Sequence, residues 1–456
     1  MTYDIILGRD EKDKDKYGTT GAIYLGKQYI TMGKEKSLAN RIMLDVVRPH
    51  VVYVVGKRGS GKSYTLSVVA ESFSQMPQKI ANNLAGVMID TMGIFWTMKY
   101  PNFRDEPILR SWDLKPQECP NVIVFAPKGK FKELKSQGVP VDYPFSLTVS
   151  ELSGYDWCIA LDIKPTEPVG ILIERVVAEL KEQMEETHKK FDLDDMMEAF
   201  NRDETSTKEI KEATINRFIA VKSWGLFEKE GTPIDEIVQR GMVSVIDVSP
   251  YAHTFGAFSI RALVVGLLMK KLLEVRMLAR KIEELSDIEK GWTFFEESYT
   301  EKAKKQIPLV WVFIDEVHQF LPKEGDTLAT APLLSILREG RQPGISVAIA
   351  TQQPGKVHSD VITQCDIVIG HRMTAKLDLA SLTDIMSTYL SYDITKYVTD
   401  LSSSKGSAVV LDDKQERIYS AQVRPKMSWH GGESPSAMPP TIKKETFEED
   451  EEEKMY

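Results

Sequence analysis

The stretch Gly56-Lys57-Arg58-Gly59-Ser60-Gly61-Lys62-Ser63 constrains this chain more than any other feature. It fits the pattern GxxxxGK[ST], follows the β-branched run Val51-Val52-Tyr53-Val54-Val55, and precedes helical spacing from Ser63 to Phe73. A buried strand, a glycine turn and a helix in that order let backbone N–H groups converge on phosphate oxygens. The helix N-terminus adds a partial positive charge. In that geometry Lys62 neutralises β- and γ-phosphates and Ser63 ligates magnesium, while Gly56, Lys57, Arg58, Gly59, Ser60, Gly61 and Tyr64 complete the nucleotide-binding set.

A second element belongs with the first. Leu309 to Ile314 is an apolar strand that ends in Asp315-Glu316, and such a strand delivers its last side chains to the sheet edge where the loop lies. Asp315 is expected to hold magnesium through water, and Glu316 to orient and polarise the attacking water. Ser346 to Ala350 forms a further strand that ends in Thr351-Gln352-Gln353. An amide there can sense the γ-phosphate through a gained or lost hydrogen bond, Gln352 ahead of Gln353. Upstream, Arg338-Glu339-Gly340-Arg341 offers guanidinium groups suited to transition-state phosphate, supplied from a neighbouring subunit, with Arg341 first, Arg338 second and Arg372 third. His50 and His371, which flank strands, read as structural, and His318 within Asp315-Glu316-Val317-His318 carries little weight. The basic stretch Lys128 to Lys135 reads as a solvated loop more readily than as a DNA contact.

These motifs predict an α/β fold of the P-loop NTPase class, RecA-like with the catalytic glutamate on an additional strand, having a mostly parallel sheet and a helical insertion. The expected layout is a short β element over 1–49, with Tyr3 to Leu7 and Ala22 to Thr31 as a hairpin around a flexible charged tip. The ATPase domain follows over 50–424, with the insertion at 100–240, a long helix from Phe258 to Leu285 and a Glu/Lys-rich connector over 286–306. A disordered acidic tail is expected over 425–456. No apolar run is long enough to span a bilayer and no signal-peptide layout opens the chain, so a soluble, cytoplasmic protein without membrane insertion is expected. The three cysteines are far apart and form no CxxC pair, which argues against disulfides and a zinc site. A net charge of −9 argues against a protein that coats nucleic acid over its whole surface but permits a basic pore lining.

Taken together, the residues resemble the HerA-FtsK superfamily of ring ATPases, and HerA-type DNA translocases in particular. Four segments carry the likeness: Arg48-Pro49-His50 followed by the strand and the Gly56 to Ser63 loop; Val87 to Gly93 with Asp90; Asp315-Glu316-Val317-His318; and Arg338 to Arg341 running into Thr351-Gln352-Gln353-Pro354. The resemblance implies ATP and Mg2+ as cofactors, a homo-oligomer (a hexamer in the family), double-stranded DNA in the channel and a nuclease partner. Only residues 1–49 precede the loop strand, leaving room for at most a remnant of the family's nuclease-docking β-barrel. The function expected is ATP hydrolysis driving movement along DNA or its remodelling, in repair or end processing. The alternatives are a motor for conjugative transfer or secretion, and a nucleotide-switched assembly factor.

Overall fold

Short apolar runs with little polar alternation must be covered on both faces, and here they build one large mixed sheet. A computed structural model describes residues 3–32, 35–252, 257–292, 307–373, 380, 401 and 404–432. Among them the strands are β1 (Ile5–Leu7), β2 (Ala22–Met32), β3 (Glu35–Asp45), β4 (Val51–Val55), β5 (Leu84–Asp90), β6 (Val122–Pro127), β7 (Tyr143–Phe145), β8 (Leu147–Thr148), β9 (Phe227–Glu228), β10 (Val243–Asp247), β11 (Leu309–Ile314), β12 (Ile345–Thr351), β13 (Ile367–His371), β14 (Ser407–Asp412) and β15 (Arg417–Val423).

The main sheet runs β1-β3-β2-β15-β14-β13-β4-β12-β11-β5-β10-β6-β7. From β13 to β7 every neighbouring pair is parallel. Its register places Thr351 opposite Val55 and Ile314 opposite both Ile349 and Ile89, so β4, β12, β11 and β5 end together at one carboxyl edge. Helix Lys62–Glu71 covers one face, packing Leu66 and Val69 with Val52, Val54, Met88 and Phe313. Helices Ala257–Trp292 and Thr330–Glu339 cover the other, where Leu263, Leu333 and Ile336 meet Val87, Val312 and Val347. A Val- or Leu-sized side chain buried this way contributes about 1.5–3 kcal/mol, so the two layers fix the sheet edge firmly.

Several expectations come out differently. The charged run after Asp10 is a helix, Glu11–Tyr17, capped by the Asp10 side chain accepting from Asp13 N–H. β1 pairs parallel with β3, and the hairpin partners are β2 and β3, with β2 joined to β15. Residues 1–49 thus extend the main sheet instead of standing apart. The 100–240 segment is not helical alone, since β6 and β7 extend the sheet and β8 pairs β9; its helices Pro168–Thr187, Leu193–Arg202 and Lys208–Ser223 gather around Trp157, Phe200 and Phe218. The basic stretch is helix Lys128–Ser136, where Lys128 pairs with Glu228 and Lys130 with Glu133. The long helix continues through 286–292, which the sequence reading gave to the connector.

The stretch from 425 folds back onto the domain through 432. Lys426, Met427 and Ser428 are buried, because Glu71 offers a carboxylate to the backbone N–H groups of Met427 and Ser428. The acidic block 448–453 lies outside the described residues.

Candidate nucleotide site

The loop Gly56–Ser63 leaves β4 at the carboxyl edge, and its shape depends on glycine. Gly59 and Gly61 hold φ of 76° and 115°, where side chains are strained. A Cβ on Gly56 would stand 2.5 Å from Ser60 Oγ. The neighbouring strands brace the loop: Lys57 N–H donates to the Arg372 carbonyl (3.3 Å) and Gly406 N–H to the Ser60 carbonyl (3.3 Å). His371 lies beneath, Nε2 at 2.9 Å from Thr65 Oγ1 and Nδ1 at 3.1 Å from the Ser407 carbonyl. Burial pushes its pKa down to about 4, so at neutral pH the ring is an uncharged brace.

Lys57, Arg58 and Gly59 are exposed, whereas Ser60 and Lys62 are buried. Among the described residues the Lys62 ammonium donates only to the Lys57 carbonyl, at 3.3 Å. Its pKa is lowered by burial, against the opposing pull of Glu316 and Asp315. The buried Ser60 hydroxyl has no hydrogen-bond partner among the described residues. A buried ammonium with one long contact, beside an unpartnered hydroxyl and left-handed glycines, is a cradle for an anion. Tyr64 is tied elsewhere: its hydroxyl accepts from Lys426 N–H and its ring meets the His430 edge at 5.0 Å.

β11 brings its carboxylates to this cradle. Ser63 Oγ donates to Asp315 Oδ2. Asp315 is 2% exposed, and burial raises its pKa more than Ser63 and Lys62 lower it. A buried carboxylate short of positive charge, touching a hydroxyl that shares its face, is a hard-oxygen donor set that fits Mg2+. Among the described residues no group of three or more His, Cys, Asp or Glu is placed to hold a metal.

Glu316 adopts φ 53°, ψ 47°. A non-glycine residue held in this left-handed region costs on the order of 1–3 kcal/mol and marks a constrained site. Burial and then Asp315 raise its carboxyl pKa, with Lys62 and the Gln352 backbone N–H opposing. Gln352 therefore reaches the site through its backbone. His318 and Thr351 also enter it: His318 Nδ1 lies 3.1 Å from Thr351 Oγ1 and 3.4 Å from Glu316 Oε2. His318, which carries little weight in the sequence, stands beside the carboxylate because the short turn of Asp315-Glu316-Val317-His318 returns the imidazole to it.

The arginines separate. Arg372 follows β13 at the carboxyl edge and is exposed beside the loop. Arg338 and Arg341 precede β12, at the amino edge. The seven residues of β12 span roughly 20 Å at about 3.3 Å each, so neither can reach the loop of its own chain. Arg338 pairs with Asp360 at 2.5 Å. Arg341 is exposed, with no ion-pair partner among the described residues.

The chain matches the family described as the helicase HerA central domain, DUF87, over residues 30–262. It belongs to the HerA family. The match takes in the loop and Asp90 and stops before β11. Among curated relatives it is 29% identical over 180 residues to the DNA double-strand break repair helicase HerA of Pyrococcus furiosus, covering 38% of this chain and 31% of that protein. A second likeness, 25% over 140 residues, is to the probable DNA double-strand break repair helicase HerA of Methanocaldococcus jannaschii, covering 29% of this chain and 27% of that one. The matched segment thus spans less than a third of either relative. Among solved structures, VirB4 of Thermoanaerobacter pseudethanolicus superposes with a TM-score of 0.48 at 13% identity, covering 89% of this chain and 97% of that one. The bacterial conjugative coupling protein TrwB gives 0.47 at 13%, covering 84% and 87%. No described helix of this HerA-family chain is long and apolar enough to cross a membrane.

Proposed function

We propose that this HerA-family chain is a magnesium-dependent ATPase whose turnover drives movement along, or remodelling of, double-stranded DNA by a ring oligomer. One observation carries the reading: the buried Lys62 ammonium, the Ser63–Asp315 contact and the unsatisfied Glu316 carboxylate meet at one edge of a parallel sheet. Each group has unspent capacity for phosphate, a cation or water.

In this reading the N–H groups of the Gly56–Ser63 loop bind the phosphate oxygens, and Lys62 offsets the β/γ charge. Ser63 and Asp315 hold Mg2+, which when bound neutralises charge on the phosphate oxygens. Glu316 accepts a proton from the water that attacks the γ-phosphorus; ADP leaves with the bridging oxygen and phosphate carries the water oxygen. Gln352 reports the presence of the γ-phosphate. Arg341 acts from a neighbouring subunit, the one way its position at the amino edge lets it serve a site, with Arg338 the alternative donor; Arg372 serves within the same chain. Duplex DNA as track, a ring of six and a nuclease partner are what HerA membership makes the leading candidates.

The test is steady-state ATP hydrolysis with and without duplex DNA, over a magnesium titration. The reading expects magnesium-dependent turnover that rises with duplex length up to the site size of the ring. Turnover indifferent to DNA alongside intact hydrolysis would leave an ATPase and remove the DNA motor.

A further inference from the structure

The Glu316 carboxylate stands just past the end of β11, with one of its oxygens shut off from solvent. Its Oε2 is buried without a hydrogen-bond partner among the described residues, and its side chain is 16% exposed. His318, on the short turn Val317–Gln319, holds Nδ1 3.4 Å from that oxygen without a hydrogen bond to it, while the same nitrogen is hydrogen-bonded to Thr351 Oγ1 at 3.1 Å. Thr351 Oγ1 already accepts from Gln353 N–H at 3.0 Å, and Thr351 is fully buried at the end of β12. An Nδ1 lone pair here would face carboxylate lone pairs. With the proton on Nδ1, the ring donates to Thr351 Oγ1 on β12, and the same N–H stands close enough to turn to the carboxylate. Burial, then Lys356 and Lys62, lower the His318 pKa, so the ring acts as a neutral donor and not as a second cation.

We propose that His318 is a positioning residue for hydrolysis: its Nδ1–H, anchored by Thr351, seats the Glu316 carboxylate so that the other oxygen faces the attacking water. The inference rests on reading Glu316 as the base. A shift of about half an ångström converts the 3.4 Å contact into a hydrogen bond. Because Thr351 precedes Gln352 on the same strand end, movement of β12 around a γ-phosphate and seating of the base are mechanically joined.

The experiment uses the full chain and compares His318→Phe, which keeps a ring and loses the donor, with His318→Asn, whose amide N–H stands close to the place of Nδ1–H. Both are measured for kcat, KM and nucleotide affinity. His318→Phe is expected to lower kcat about tenfold to a hundredfold, the scale of one hydrogen bond to a charged group, with KM and nucleotide affinity within about twofold of the parent. His318→Asn should recover most of that loss. Full kcat in His318→Phe overturns the proposal, as does a loss that His318→Asn shares equally. If His318→Phe does not fold, His318→Asn decides alone: kcat within about threefold of the parent, under 1 kcal/mol of barrier, supports the proposal, and a greater loss overturns it. Glu316→Gln separates the two layers. Turnover surviving there removes the base reading itself, whereas an inactive, nucleotide-binding Glu316→Gln beside an undiminished His318→Phe removes only the role of His318.

Discussion

Glu71→Ala should detach the C-terminal strap of residues 424–432 from the loop helix. The Glu71 carboxylate is fully buried and accepts from Arg424 Nη1 (2.6 Å), Met427 N–H (3.1 Å), Ser428 N–H (3.0 Å) and Ser428 Oγ (2.5 Å). Arg424, also fully buried, spends its other donors on the Tyr24 carbonyl and Ser72 Oγ, both at 2.8 Å. Four bonds to a charged group at about 1.5–3 kcal/mol each would sum to about 6–12 kcal/mol. That sum overstates the loss, because the strap can peel away and its N–H groups and guanidinium can then meet water. The cost of an uncompensated buried charge, about 3–5 kcal/mol, is the better expectation. Urea unfolding measures it globally, and amide hydrogen exchange at Met427 and Ser428 measures it locally. Stability within about 1 kcal/mol of the parent, with both amides still protected, would refute the reasoning.

Three further outcomes follow. His50 is fully buried between Asp366 (2.6 Å) and Asp45 (3.1 Å), and although burial opposes its charge the two carboxylates raise its pKa above 6.5. Its stabilisation is then fully present below 6.5 and lost as pH rises through the folded value, so the urea-midpoint gap between the parent and His50→Gln should narrow from pH 6 to pH 9; a widening gap contradicts this. Arg341→Ala should leave ATP affinity nearly unchanged and cut turnover about a thousandfold or more, and mixing it with Lys62→Ala protein should restore part of the activity, whereas inactivity in demonstrated mixed rings would move the finger to Arg338 or Arg372. Gly61→Val should abolish nucleotide binding measured by titration, since φ 115° is closed to a β-branched residue; retained affinity would show that the loop does not need this shape.

The parallel strands were legible because each is a short apolar run ending in a turn, and such runs have few places to go except a doubly covered sheet. Leu309–Ile314 matches its expected bounds, and the adjacent Asp315 lands beside Ser63 as the motif requires. Helices Glu11–Tyr17 and Lys128–Ser136 escaped because neither has a fully buried residue; the first has no apolar stripe and the second only the half-buried pair Phe131 and Leu134 among its lysines. The strap escaped for the opposite reason. Arg424 and Lys426 look solvent-seeking locally, and the partners that bury them, Glu71 and the Tyr24 carbonyl for the guanidinium and the Trp429 carbonyl for the ammonium, are not legible in the segment's pattern. His318 was visible as a residue but not as a neighbour, since its partner Thr351 stands on the next strand and register is not readable from either segment alone.

The central claim is that the loop and β11 form one nucleotide-hydrolysing site, and Lys62→Ala tests it most directly. ATP binding by titration and phosphate release by the same protein should be measured side by side with the parent. The account predicts that the parent hydrolyses ATP and that Lys62→Ala loses nucleotide binding, or nearly so, because its ammonium is the buried counter-charge within the cradle. Near-parental turnover in Lys62→Ala would contradict it.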